Sequence, residues 1–102
     1  MTKKLKLTAV LTFFLTMTGC AGVSKTNLGP EGEALALITD RPHDSCRVTG
    51  FYEGINEQGS LELARVHARN LAARAGANSI KFNESIKNGP EWRVKATGYQ
   101  CR

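Results

Sequence analysis

The chain has 102 residues, with 14 Lys+Arg against 9 Asp+Glu and a formal charge of +5. At ~100–150 residues per domain this length allows one domain. Lys3, Lys4 and Lys6 fall in a segment expected to be removed, leaving 11 basic residues against the same 9 acids, or +2. That balance excludes the basic footprint of a nucleic-acid binder and the charge runs of a disordered tail, and 41% hydrophobic with 23% charged residues suits an ordinary small globular domain.

Residues 1–19 have the layout of a secretory signal: a basic start to Lys6, an apolar stretch from Leu7 to Met17, then small residues. The uncharged run from Leu7 to Ser24 is 18 residues with scattered threonines, short of the ~20 predominantly apolar residues of a spanning helix. Its ending, Met17-Thr18-Gly19-Cys20, resembles the lipobox of bacterial lipoproteins, although Met17 stands where that pattern usually has Leu. The resemblance implies that Cys20 becomes the first residue of the mature chain, with a thioether-linked diacylglyceryl group and an acyl chain, such as palmitate, on its amine. Each buried CH₂ contributes ~0.8 kcal/mol and two chains already anchor stably, so three would be permanent in practice. Ala21 rather than Asp after the cysteine implies sorting to the outer membrane, facing the periplasm.

With Cys20 consumed by lipid, Cys46 and Cys101 remain as an even pair in an oxidising compartment, the simplest pattern for a disulfide. The bridge closes a loop of 55 residues, worth roughly 4 kcal/mol in the chain-entropy account. His43 and Cys46 stand at ligand spacing, but no second cluster completes a tetrahedral shell. No metal or other cofactor is therefore expected.

Residues 20–33 combine the lipidated cysteine with a polar, Gly- and Pro-containing stretch that is expected to be a flexible tether. The periplasmic domain is then 34–102. Ala34 to Thr39 is a short apolar run, expected to be a first strand, and Cys46 to Glu53 a second, rich in β-branched and aromatic residues. Ser60 is placed to cap a helix, followed by Leu61, Ala64, Ala68, Leu71, Ala72 and Ala75 as one apolar stripe, with Gly76 as its stop. Ser79 to Glu84 alternates like a half-buried strand. Asn88-Gly89 signals a hairpin, expected to be longer than two residues because of Pro90, and Trp92 to Cys101 is the last strand.

These elements make a β-β-α-β-β chain of the α+β class. A right-handed crossover sets the second and third strands parallel. Placing the fourth between them brings Cys101 opposite Cys46, within the ~7 Å between Cα atoms that a bridge requires. The expected order is 1-2-4-3, with the helix on one face. By simple alternation Cys101 and Tyr99 fall on the face opposite Val94. Either Gly98 forms a bulge that resets the register, or the bridge lies on the uncovered face.

Cys46 opening a strand, Ala75-Gly76-Ala77-Asn78 closing the helix, and the terminal Ala96-Thr97-Gly98-Tyr99-Gln100-Cys101 together resemble a family of short, functionally uncharacterised bacterial lipoproteins. Members of that family share a Gly-Ala-Asn turn and a Gly-x-x-Cys ending. More distantly the region is similar to the signalling domain of the Rcs stress-sensing outer-membrane lipoprotein, which has four domain cysteines and a long Pro-rich tether where this chain has two and a short one.

Arg65, Arg69 and Arg74, with His67 nearby, are candidates for a basic ridge facing an anionic partner, against the plainer account of a solvated helix face with Glu62 paired to Arg65. Phe51, Tyr52, Trp92 and Tyr99 are candidates for an aromatic surface, with at least half of them expected to pack inside. His43 and His67 are the candidate general bases, but no nucleophile elbow, phosphate loop or zinc-protease motif accompanies them. The expectation is a monomeric, non-enzymatic outer-membrane lipoprotein that binds an envelope protein in maintenance or stress monitoring, through a surface including Arg65, Arg69, Arg74, Tyr52 and Tyr99. The alternatives are a small-ligand or lipid-binding module, requiring a pocket between helix and sheet, and a hydrolase, requiring a histidine beside a nucleophile in a cleft.

Overall fold

The computed structural model describes residues 23–102. The signal segment 1–19 and Cys20 lie outside them. Its elements are a one-turn helix α1 (Pro30–Glu33), strands β1 (Ala36–Leu37) and β2 (Arg47–Asn56), helix α2 (Leu61–Arg74), and strands β3 (Ser79–Asn88) and β4 (Glu91–Gln100). The four strands form one mixed sheet in the order β1-β3-β4-β2.

Helix α2 forms as its sequence dictates. The Ser60 hydroxyl accepts the Leu63 N–H at 3.0 Å, satisfying one of the free donors of the first turn. The amides of Ala75 and Gly76 return to the carbonyls of Leu71, Ala72 and Ala73, which closes the last turn. Ala64, Ala68 and Ala72 are fully buried and meet Ile80, Val94 and Ala96 of the sheet. With only the methyl groups of Ala64 and Ala68 at the point of contact, the helix sits very close to β2. At Gly54 a side chain has no room: a Cβ there would press on the Ala64 carbonyl oxygen and lie 2.6 Å from Ala68 N.

Strand β4 lies between β2 and β3, antiparallel to both, so β2 and β3 run parallel through the α2 crossover as expected. The hairpin differs from expectation. Asn88 pairs with Glu91, leaving Gly89-Pro90 as a two-residue connection. Gly89 has φ +64, as the first central position of a type II′ turn requires. Pro90 fits the second position, where the turn uses no N–H.

The first strand is the main correction: it pairs with β3 in parallel and not with β2. The reason lies in the segment expected to be a flexible tether, which is folded from Ser24 onward. Asn70, on the outer side of α2, accepts Gly29 N–H at 3.1 Å and donates to Ser24 O at 3.1 Å and Asn27 O at 2.9 Å. Arg69 donates to the carbonyls of Gly32 (3.1 Å) and Leu35 (2.9 Å). Residues 24–35 thus form a strap across the back of α2, with Gly32 and Leu35 buried. The strap delivers the chain to the β3 edge, where Ala36 pairs with Ser79 and Leu37 with Ile80. The chain then passes the end of the sheet through 39–45 before starting β2.

The Cys46–Cys101 disulfide is formed, 55 residues apart in sequence. Strand β4 pairs straight through Gly98. The extra residue is Thr49 of β2, in a register shift between Val48 and Gly50. Alternation along β4 from Thr97 through Tyr99 therefore carries Cys101 to the face away from α2, and the β2 bulge turns Cys46 to the same side. Of the two alternatives left by the alternation, the bridge on the uncovered face is the one adopted.

Candidate functional site

Three surfaces of the domain gather chemistry or exposed apolar area. The first is a corner of about 310 Å³ between the 36–43 segment and the disulfide, bordered by Asp40, Arg41 and His43. The second is a shallow depression of about 300 Å³ on the open sheet face, between Phe51, Glu53, Asn83, Glu84 and Lys95. The third is a groove of about 410 Å³ between the strap, α2 and the β3 edge, lined by Leu28, Leu37, Val66 and Phe82 with Glu62, Arg65 and Arg69.

On the open face the β4 side chains Arg93, Lys95 and Thr97 alternate outward. Arg93 bonds to Glu53 at 3.1 Å and to Glu91, and Asn83 donates to Thr97 Oγ1 at 2.7 Å. Beside this polar lattice Phe51 stands 78% exposed. An aromatic ring left in water leaves unused the ~1.5–3 kcal/mol that its burial would contribute, a gain open to a partner that covers it.

The three arginines do not make one ridge. Nine residues at roughly 100° each put Arg74 half a turn around the helix from Arg65. Arg69 is committed to the strap carbonyls described above. Arg65 lies 3.9 Å from Glu62 and 5.7 Å from the centre of the Phe82 ring, and its Nε is buried without a hydrogen-bond acceptor. The tyrosines are on opposite faces. Tyr52 pairs across from Ala96 and packs on the core, its hydroxyl 3.2 Å from Thr49 Oγ1, whereas Tyr99 follows Thr97 on the open side. Of the four candidate aromatics Phe51 alone is mostly in solvent; Tyr52, Trp92 and Tyr99 are half-buried.

His67 is buried against β2, where its Nδ1 accepts Ile55 N–H at 3.0 Å. Burial, and then the Lys25 ammonium on the strap, hold its pKa below the ordinary 6.5. A ring nitrogen locked to a backbone amide is a structural acceptor. His43 is exposed at the corner beside the bridge. Among the described residues no group of three or more His, Cys, Asp or Glu is placed to hold a metal ion. No helix among them is long and apolar enough to cross a membrane.

Sequence reasoning did not anticipate Asn70 and the groove. Asn70 has a readable trait, a polar amide in mid-helix, but its partners are 41 to 46 residues away. The groove exists only because the strap brings Leu28 and Leu37 beside Phe82. Comparison with known protein families, with curated proteins and with solved structures finds no match.

Proposed function

We propose that this protein is a non-enzymatic lipoprotein of the bacterial outer membrane, anchored through Cys20 and facing the periplasm, whose domain binds another envelope protein in maintenance or stress monitoring. The observation that carries this reading is Phe51, 78% exposed on a sheet face uncovered by α2 and bordered by the Arg93–Glu53 ion pair. An apolar ring set within a polar rim is the composition of a protein-binding surface. The proposed kinship with short lipoproteins sharing the Gly-Ala-Asn turn and cysteine ending agrees with it. A small-ligand or lipid carrier is less well supported, because the space it needs between helix and sheet is filled by Ala64, Ala68 and Ala72 against Gly54.

The folded strap refines the geometry. Four peptide units separate Cys20 from Ser24, at most ~14 Å of extended chain, so a domain anchored at Cys20 works beside its membrane. Crosslinking of the lipidated protein in its own envelope, read by mass spectrometry, tests the reading. One dominant protein adduct, lost in Phe51→Asp, is expected. Adducts spread over abundant neighbours and unchanged by Phe51→Asp would refute it.

A further inference from the structure

We propose that the outer edge of β3, over the groove formed by Leu28, Leu37, Val66 and Phe82, takes an extended acidic peptide segment of a partner protein as a fifth strand. This deepens the protein-binding reading above and rests on it.

Three features converge on this lane. The first is unused backbone. β1 pairs with Ser79 and Ile80 only, Ile38 N–H donates to Ile80 O at 2.8 Å, and the chain then turns away. From Phe82 to Asn88 no described element pairs with this side of β3, which runs regularly from Glu84 onward after the bulge at Asn83. A row of unpaired amides and carbonyls continuing an existing parallel pair is a template for strand addition. The second is the groove under that lane, of about 410 Å³, with Leu28 40% and Leu37 53% exposed. Alternate side chains of an added strand point to one face, so every second residue of the incoming segment would enter it. The third is Arg65, whose guanidinium-bearing side chain lines the groove and is 40% exposed. A guanidinium open to solvent is matched by a carboxylate, which accepts its N–H groups and carries the opposite charge. Lys87, above the Trp92 ring at 5.9 Å, adds positive charge further along the same face. Glu62 is the single carboxylate in the groove, and it already faces Arg65 at 3.9 Å.

The other open edge is a poorer template. Each edge strand carries a bulge, at Thr49 in β2 and at Asn83 in β3, but the two glycines of β2 offer an added strand no side chain to pack on.

The preferred segment therefore reads apolar–any–apolar with an Asp or Glu adjoining. The test uses a random twelve-residue peptide phage library panned on the purified full chain, followed by anisotropy titration of the enriched peptides made with a dye. In the observed register Ser85 pairs with Val94 at a position whose amide points away from β4. Ser85→Pro removes one lane donor while sparing the sheet, since proline is tolerated at such edge sites. Leu37→Asp independently places a charge in the groove. Trp92 emission and the intact bridge report that both variants fold.

Enrichment of the acidic apolar-alternating pattern is expected, with binding at least tenfold weaker in each variant. Amide exchange should slow in Phe82–Asn88 when peptide binds. The proposal is overturned by peptides that bind Ser85→Pro and Leu37→Asp as tightly as the parent, by protection confined to β2, or by the absence of any enrichment. It is also overturned by a dimer in sedimentation that Ser85→Pro dissolves, because the lane would then belong to a second copy. If the Phe51-dependent adduct in the envelope persists in Ser85→Pro, the edge proposal alone falls; if that adduct is absent while peptides bind the edge, the Phe51 surface falls.

Discussion

Replacing Gly54 by Ala tests the closest contact in the fold. The new methyl group would meet the Ala64 carbonyl oxygen and stand 2.6 Å from Ala68 N and 2.9 Å from Ala68 Cβ. The obstructing atoms are mostly helix backbone, so no rotamer change relieves them, and α2 must lift by ~1 Å or β2 must bend. A gap of that size forfeits a quarter to a half of each dispersion contact it opens. The contacts at stake are those of Ala64, Ala68 and Ala72, all fully buried. Overpacking of this kind costs ~1–3 kcal/mol, offset by ~0.4–1 kcal/mol from the stiffer unfolded chain. A net loss of about 1–2 kcal/mol corresponds to a melting temperature lower by roughly 4–16 °C for a domain this size. Non-reducing urea and thermal unfolding, followed by the single Trp92, measure it, with Glu57→Ala, at an exposed position just beyond β2, as the reference for a change that moves nothing. A Gly54→Ala midpoint equal to the parent's would mean that helix and sheet are not in contact here, and the argument against an internal ligand site would go with it.

Other consequences are equally direct. Replacing Cys46 and Cys101 together by Ser opens the 55-residue closure and should cost about 4 kcal/mol by the entropic account, read from the shift in urea midpoint. Asn70→Asp keeps the acceptor for Gly29 N–H and loses both donors to Ser24 and Asn27. At ~0.5–1.5 kcal/mol per bond, the strap should become cleavable by protease near Lys25 while the sheet amides keep their protection; equal loosening of both would show that the strap and the sheet unfold as one. Because the folded pKa of His67 lies below 6.5, the unfolded chain takes up the proton more readily. Its stabilising effect is then complete above about pH 6.5 and fades as pH falls through the lower folded value. The urea midpoint should drop with acidification in the parent and less so in His67→Gln; parallel profiles would remove His67 as the cause.

Local signals carried over into structure where the interactions are local. The Ser60 cap, the alanine stripe and the presence of a hairpin at Asn88-Gly89 involve neighbours in sequence, although the loop proved to be the two residues Gly89-Pro90, and the bridge with the crossover rule places β4 between β2 and β3. The position of β1 was not legible, because adjacency of consecutive strands is only a tendency. What overrides it is a pair of side chains, Arg69 and Asn70, that supply hydrogen bonds to a Gly- and Pro-containing stretch whose own composition promises none. The arginine ridge failed for a related reason. Spacing alone cannot show that Arg69 faces inward to carbonyls or that Arg65 lies along Phe82. Phe51 could not be distinguished from the other strand aromatics until the register put it opposite Thr97, on the side without a helix.

The functional account depends on export and on fat at Cys20. Intact-mass measurement of the protein extracted from its envelope without reductant tests this most directly. The account predicts a chain beginning at Cys20, heavier by three acyl chains and a glyceryl unit, and lighter by the two hydrogens of the Cys46–Cys101 bridge. A chain that retains residues 1–19, or that carries an unmodified Cys20 with both other thiols free, would contradict it.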